Sequence, residues 1–214
     1  MPTATFANLP EEKQERVLQA SAKEFGIRNV QEANLSNIVK DAGIARGSLY
    51  QYFINKDDLY VYVYDTLRAR RANYAKPAFD LYKKEPFLRF FEAFHLLNIE
   101  YLMQNPSHIA LGQQLYSSAH GVSRRLIQHL QSQYKETFII AIEFDKERRV
   151  ISRDASTSIL ADLCVHLATD IFIFQSINTQ LSMFNIRDYV HGTLALIENG
   201  IRVHESNLFL CPSS

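Results

Sequence analysis

Between Arg46 and Tyr52 the chain reads RGSLYQY, and nearly every side chain in that stretch is suited to reading a polar surface. Arg46 brings a planar fork of donors, Ser48 a hydroxyl, Gln51 an amide and Tyr50 and Tyr52 phenols, with Gly47 among them and no acid. A guanidinium can donate twice to guanine, a carboxamide can pair twice with adenine, and hydroxyls bond phosphate oxygens. Arg46 and Gln51 are therefore candidates for base contacts. Ser48 and Tyr50 suit phosphate or thymine-methyl contacts, and Tyr52 a phosphate. The competing reading of the two tyrosines is that they pack between helices.

Such side chains work only if a short helix is held out for them. Asn34 supplies an N-cap oxygen ahead of Leu35, Ile38, Val39 and Ala42, which share one helical side. Gly43 follows the last periodic residue, where a left-handed backbone ends a helix and lets the next leave steeply. The next helix starts near Ala45, with Leu49 and Phe53 four apart and able to pack inward. Asn55 can cap a third helix, answered by Asp58, with Leu59 to pack back and Lys56 in the first turn, where free amides favour a phosphate.

These residues, namely Asn34, Ile38, Val39, Ala42, Gly43, Gly47, Ser48, Leu49, Tyr50, Tyr52, Phe53, Asn55, Lys56 and Leu59, resemble the DNA-binding domain of the TetR family of transcriptional repressors. The resemblance runs from Glu12 to Leu67 without a gap. It departs at Ala45, where the family usually has a Ser or Thr cap worth ~1 kcal/mol, and at Val39, where Ala is commoner. It implies that Asn34, Arg46, Gly47, Ser48, Tyr50, Gln51, Tyr52 and Lys56 face DNA, with Lys56 as a backbone clamp. It also implies a larger helical domain behind the reading head that binds a ligand and dimerises.

Charge bears on how such a head would bind. Net charge is zero, and residues 1–71 hold ten Lys and Arg against nine Asp and Glu. A general polyelectrolyte binder is basic. Here Arg28, Lys40, Arg46 and Lys56 place positive charge locally, which implies modest nonspecific affinity and directed contacts. At 214 residues and 47% hydrophobic, the chain can bury more core than one three-helix unit needs. It has no run of about eighteen apolar residues and no basic-then-apolar leader, so a soluble, cytoplasmic protein is expected. Cys164 and Cys211 suit a reducing compartment and form no metal or disulfide framework.

Punctuation divides the rest into helices, and all-α is the expected class. Pro10 opens a first helix with a stripe of Val17, Leu18, Ala22 and Phe25, and Gly26 closes it. Further helices are expected at about Lys56 to Ala75, Phe87 to Gln104, Ser107 to Ala119, Ser123 to Lys146, Ala155 to Gln180 and Ile186 to Ser206, with a short one between Pro77 and Pro86. The reading head is expected over 1–55 and the ligand and dimer domain over 56–214. On the last two helices Ile159, Leu163 and Leu167, then Val190, Leu194, Ile197 and Ile201, recur at helical steps. They are the expected faces of a four-helix homodimer interface, which would set two reading helices ~34 Å apart on a near-palindromic operator.

Phe94, Tyr101, Tyr116, Phe138 and Phe172, with Gln113, His120 and His166 as polar points, are candidate walls of a ligand chamber. The same composition builds an ordinary helical core, and the chamber is implied mainly by the resemblance. The histidines lie far apart, so no metal is expected. No cofactor site, nucleophile elbow, phosphate loop or carboxylate pair points to an enzyme. The expected function is a ligand-responsive repressor released by a small, largely apolar molecule. The alternative is a DNA-organising protein of the same fold without an inducer.

Overall fold

The computed structural model describes residues 2–169 and 183–201, and every element among the described residues is a helix. Phe172, together with Asp170, Ile171, Phe174 and Cys211, lies outside the described residues. The N-terminal head comprises α1 (Ala4–Ala7), α2 (Glu11–Ile27), α3 (Leu35–Ala42) and α4 (Arg46–Tyr52). The long α5 (Lys56–Tyr74) leads through a 3-10 turn at Lys76–Leu81 into α6 (Phe87–Gln104), α7 (Pro106–Ser117), α8 (Gly121–Glu147), α9 (Thr157–Ala168) and α10 (Met183–Ile201).

Local chemistry sets these boundaries. The Asn34 side chain accepts from the Ser36 amide at 2.9 Å, and Gly43, at φ 64°, turns the chain left-handed after α3. Asn55 accepts from the Asp58 amide at 2.8 Å, while the Asp58 carboxylate accepts from the Ile54 amide at 3.3 Å. The helix expected to run through residue 180 instead ends at Ala168. Thr169 adopts extended backbone there, and its hydroxyl donates to the His166 carbonyl at 2.8 Å. The short α1 was not anticipated, because four residues with a single large apolar side chain carry no periodicity. Its Phe6 is nonetheless buried against Phe53 and Tyr62.

Two apolar cores fill the described residues. The first runs from Phe6, Val17, Leu18, Phe25 and Ile38 of the head through Leu59, Tyr60 and Leu67 of α5 to Leu111 and Leu115 of α7 and Val122 and Leu126 of α8. The second joins Phe87, Phe90, Phe91, Phe94, Phe138, Leu160, Cys164, Ile186 and Val190. Tyr116, on α7, packs against both.

Gly26 does not close α2; the helix continues to Ile27. Its role is steric. A Cβ built on Gly26 would lie 3.0 Å from the Cβ of Ala110 and 3.4 Å from the Leu111 amide nitrogen, so the glycine lets α2 rest directly on α7. The N-terminal helices are thereby joined to α7 and α8 by backbone approach as well as by shared core.

One carboxylate organises the corner between α2 and α3. Buried Glu24 accepts from the Asn34 amide at 2.8 Å, from Asn37 Nδ2 at 3.0 Å and from Arg28 at 3.0 Å. It thus satisfies a donor at the start of α3 from a neighbouring helix. Burial alone would raise its pKa, but these donations outweigh it and hold the carboxyl below its ordinary 4.5.

Two outcomes are expected. Gly26→Leu should destabilise the fold by about 1–3 kcal/mol through overpacking, and Ala110→Gly should restore part of that loss in thermal melts. For Glu24, the unfolded chain takes up the proton first as pH falls, so its contribution is complete above 4.5 and disappears as pH drops through the lowered value. Glu24→Gln should cost about 1–3 kcal/mol at neutral pH and flatten the acid limb of a stability profile.

Candidate nucleic-acid interface

Helix α4 is held by few of its own residues. Leu49 and Phe53 are buried, as their spacing predicts, while Arg46, Gly47, Tyr50 and Gln51 are exposed and Ser48 is half-buried. Tyr52, expected on the outward side, is instead turned into the core, where its ring meets Phe6 at 5.6 Å and the Lys13 ammonium lies over it. The burial follows from α1, whose Phe6 extends the apolar surface beneath Tyr52. Ala45 makes no side-chain cap, as its type implies.

Gly47 is informative by contrast with Gly26. A Cβ there would meet nothing within 4 Å, so no packing among the described residues requires glycine, although glycine in a helix costs about 1 kcal/mol. The open backbone sits between Arg46 and Ser48 on the exposed side.

The head's positive charges divide into committed and available ones. Lys23 pairs with Asp41 at 2.7 Å and Arg28 with Glu24 at 3.0 Å. Lys56, expected at a phosphate, donates to the Gln31 carbonyl at 2.6 Å and the Ala33 carbonyl at 3.2 Å, pinning the loop before α3 to α5. The Asn34 side-chain oxygen is likewise engaged as the cap of α3. Arg46 and Lys40 are exposed and form no ion pair among the described residues. The surface of α4 thus offers Arg46, Gly47, Ser48, Tyr50 and Gln51 together, with one unneutralised guanidinium.

Among the described residues, the candidate ligand side chains are not gathered around one chamber. Phe94 and Phe138 belong to a packed aromatic cluster with Phe87, Phe91 and Tyr134. Tyr101 lies between Tyr74 and His108, at 5.4 and 5.3 Å. Tyr116 and Gln113 are half-buried on α7. His120 caps α8, its Nδ1 accepting from the Val122 amide at 3.4 Å, and His166 is an exposed side chain on α9 that bonds the Asp162 carbonyl at 2.7 Å.

Sequence reading missed two interior features. Buried Arg71 lines a small cavity with Tyr64, Leu102, His108 and Gly112, and burial together with Arg71 and Arg70 pushes His108 down to about 4. Nothing in the run Arg68 to Arg71 marks which arginine turns inward. A groove of about 160 Å³ lies between α6, the end of α8 and α10, bordered by Leu88, Glu92, Ile151, His191, Leu194 and Glu198. Among the described residues, no group of three His, Cys, Asp or Glu is placed to hold a metal ion, and no helix is long and apolar enough to cross a membrane.

The two apolar stripes expected at a dimer interface separate into two sets. Val190 and Leu194 are buried in the chain's own core. Ile159 and Leu163 stand 64% and 50% exposed, and they share an open groove with Ile197, Ile201 and Leu196, the last 78% exposed and absent from the expected set. Leu167 is half-buried.

Residues 17–63 match the family described as bacterial regulatory proteins, tetR family. Over 49 residues the chain is 41% identical to an uncharacterised HTH-type transcriptional regulator, YdgC, of Bacillus subtilis (strain 168), a match spanning 23% of this chain and 25% of that relative's length. The whole fold is shared more widely. A TetR family transcriptional regulator from Chloroflexus aurantiacus J-10-FL superposes with a TM-score of 0.69 at 20% identity, covering 95% of this chain and 100% of that one. The transcriptional regulator FadR of Bacillus subtilis, solved in complex with stearoyl-CoA, gives 0.70 at 15% identity over 88% and 99% of the two chains. At these identities the likeness is one of fold, and the helix-turn-helix supplies the sequence match. Residues 17–63 thus carry a helix-turn-helix similar to that of the tetR family of bacterial regulatory proteins, and the fold behind it is the one those solved regulators share.

Proposed function

We propose that this regulator is a ligand-responsive repressor that acts in the cytoplasm, binds a near-palindromic operator as a homodimer and is released by a small, largely apolar molecule. The observation that carries the DNA reading is the outward, acid-free face of α4, where Arg46 has no ion partner among the described residues and the open backbone at Gly47 admits close approach. Arg46 and Gln51 take base edges in the major groove, and Ser48 and Tyr50 take phosphates or a thymine methyl. Asn34 and Lys56 support the head from their cap and loop contacts, and Lys56 retains one donor for a phosphate.

Reading is assigned to residues 1–55 and the ligand and dimer functions to 56–214. Ile159, Leu163 and Leu196 support a homodimer, since a contiguous exposed apolar face on two neighbouring helices marks an interface. The fold relative solved with stearoyl-CoA supports a largely apolar ligand. Because Phe94, Tyr101 and Phe138 are closely packed, such a ligand acts by favouring a conformation in which this interior opens. Tyr116, touching both cores, lies on the route to the reading head. The filled interior also favours the alternative, a DNA-organising protein with no inducer. A few promoter sites support the repressor, and many sites across the chromosome support the alternative.

Selection from a randomised duplex pool by the full chain should yield a near-palindrome. Arg46→Ala should lose about 1–3 kcal/mol of affinity for it and relax the preference at one position per half-site. A chain that enriches no sequence overturns the DNA reading. In sedimentation the chain should run as a dimer and Leu163→Asp with Leu196→Asp as a folded monomer; a wild-type monomer removes the paired-head mechanism.

A further inference from the structure

Helix α4 is seven residues long and has no side-chain cap at its N-terminus, so its own hydrogen bonds hold it weakly. At its other end lies the segment before α2. The Thr3 amide donates to the Tyr52 carbonyl at 2.9 Å, and the Thr3 hydroxyl donates to the Gln51 carbonyl at 2.7 Å. These are two of the terminal carbonyls that a helix leaves without internal partners. The same hydroxyl accepts from the Phe6 amide at 3.4 Å and so caps α1. Phe6 then packs beneath the pair, its ring 5.6 Å from Tyr52, 4.9 Å from Phe53 and 5.1 Å from Tyr62.

We propose that Thr3 and Phe6 are positioning residues for DNA recognition: the segment 2–9 is a strap that fixes the C-terminal end of the reading helix, whose N-terminal end has no side-chain cap at Ala45. The inference rests on the reading of α4 as the DNA-contacting helix. One hydroxyl joins the start of α1 to the end of α4, so the angle at which Tyr50 and Gln51 leave the surface depends on a residue far away in sequence. Neither Thr3 nor Phe6 need touch DNA for this. Their effect falls on sequence-specific affinity, which requires a fixed helix, and spares nonspecific attraction to phosphates, which does not.

The test uses the full chain and the duplex it selects from a randomised pool. Thr3→Val keeps the shape of the side chain and removes its hydroxyl, the donor to Gln51 and the acceptor that caps α1; Thr3→Ser keeps the hydroxyl. Thr3→Val should bind the selected duplex about fivefold more weakly, the equivalent of one hydrogen bond, and bind a scrambled duplex unchanged. The amides of Tyr52 and Phe53 should exchange with deuterium faster, and Thr3→Ser should restore both properties. Equal weakening on selected and scrambled duplexes, or wild-type affinity with unchanged exchange, overturns the strap. If the wild-type chain selects no duplex, the DNA reading fails by itself, and the exchange rates of the two variants still decide whether Thr3 fixes α4.

Discussion

The arrangement depends on how closely α2 can approach α7. A three-helix reading head buries little apolar surface by itself, and here it completes its core by borrowing Leu111, Leu115, Val122 and Leu126 from the second domain. That sharing is possible only because Gly26 presents no side chain to Ala110 and the Leu111 backbone. A larger residue would separate the helices and open a gap across the common core, where lost contacts are costly. The orientation of the head relative to the rest of the chain is therefore set by van der Waals contact. The linker helix α5 contributes Leu59, Tyr60, Val63 and Leu67 to the same core, so it is a structural wall as well as a connection.

Within that frame, electrostatics is used sparingly and locally. Most basic side chains of the head have internal duties. Lys23 ties α2 to α3, Arg28 supports Glu24, and Lys56 gathers the loop carbonyls at Gln31 and Ala33. Near-neutral charge in the head thus reflects cations employed in holding helices together. What remains outward on α4 is a small set of directional groups, which suits selective contact better than broad attraction to a polyanion.

The three-helix spacing was legible because each boundary has a chemical cause in one or two residues: the side-chain oxygens of Asn34 and Asn55, the left-handed backbone of Gly43, and the four-residue step from Leu49 to Phe53. The same local signals located α5 to α8 closely. They failed where a distant partner decides. Tyr52 reads as a surface phenol until Phe6 covers it, and Gly26 reads as a terminator until α7 lies across it. The aromatic positions of α6 and α8 are apolar whether they wall a chamber or fill a core, since helical period is the same for both. Val190 and Leu194 share the step of an interface stripe yet face inward, whereas Leu196, two residues on, faces out. Only the packing of α10 against α6 separates those roles.

The continuous core across the head and α7 also limits how this protein can be recombined. A head cut out at its helix-turn-helix would carry away half of a hydrophobic surface, leaving Phe25 and Tyr60 without the aliphatic side chains of α7 and α8 that complete their core. Exchanging operator preference between such regulators by swapping N-terminal cassettes would consequently need α7 and the first turns of α8 to travel with the head, as one inherited unit.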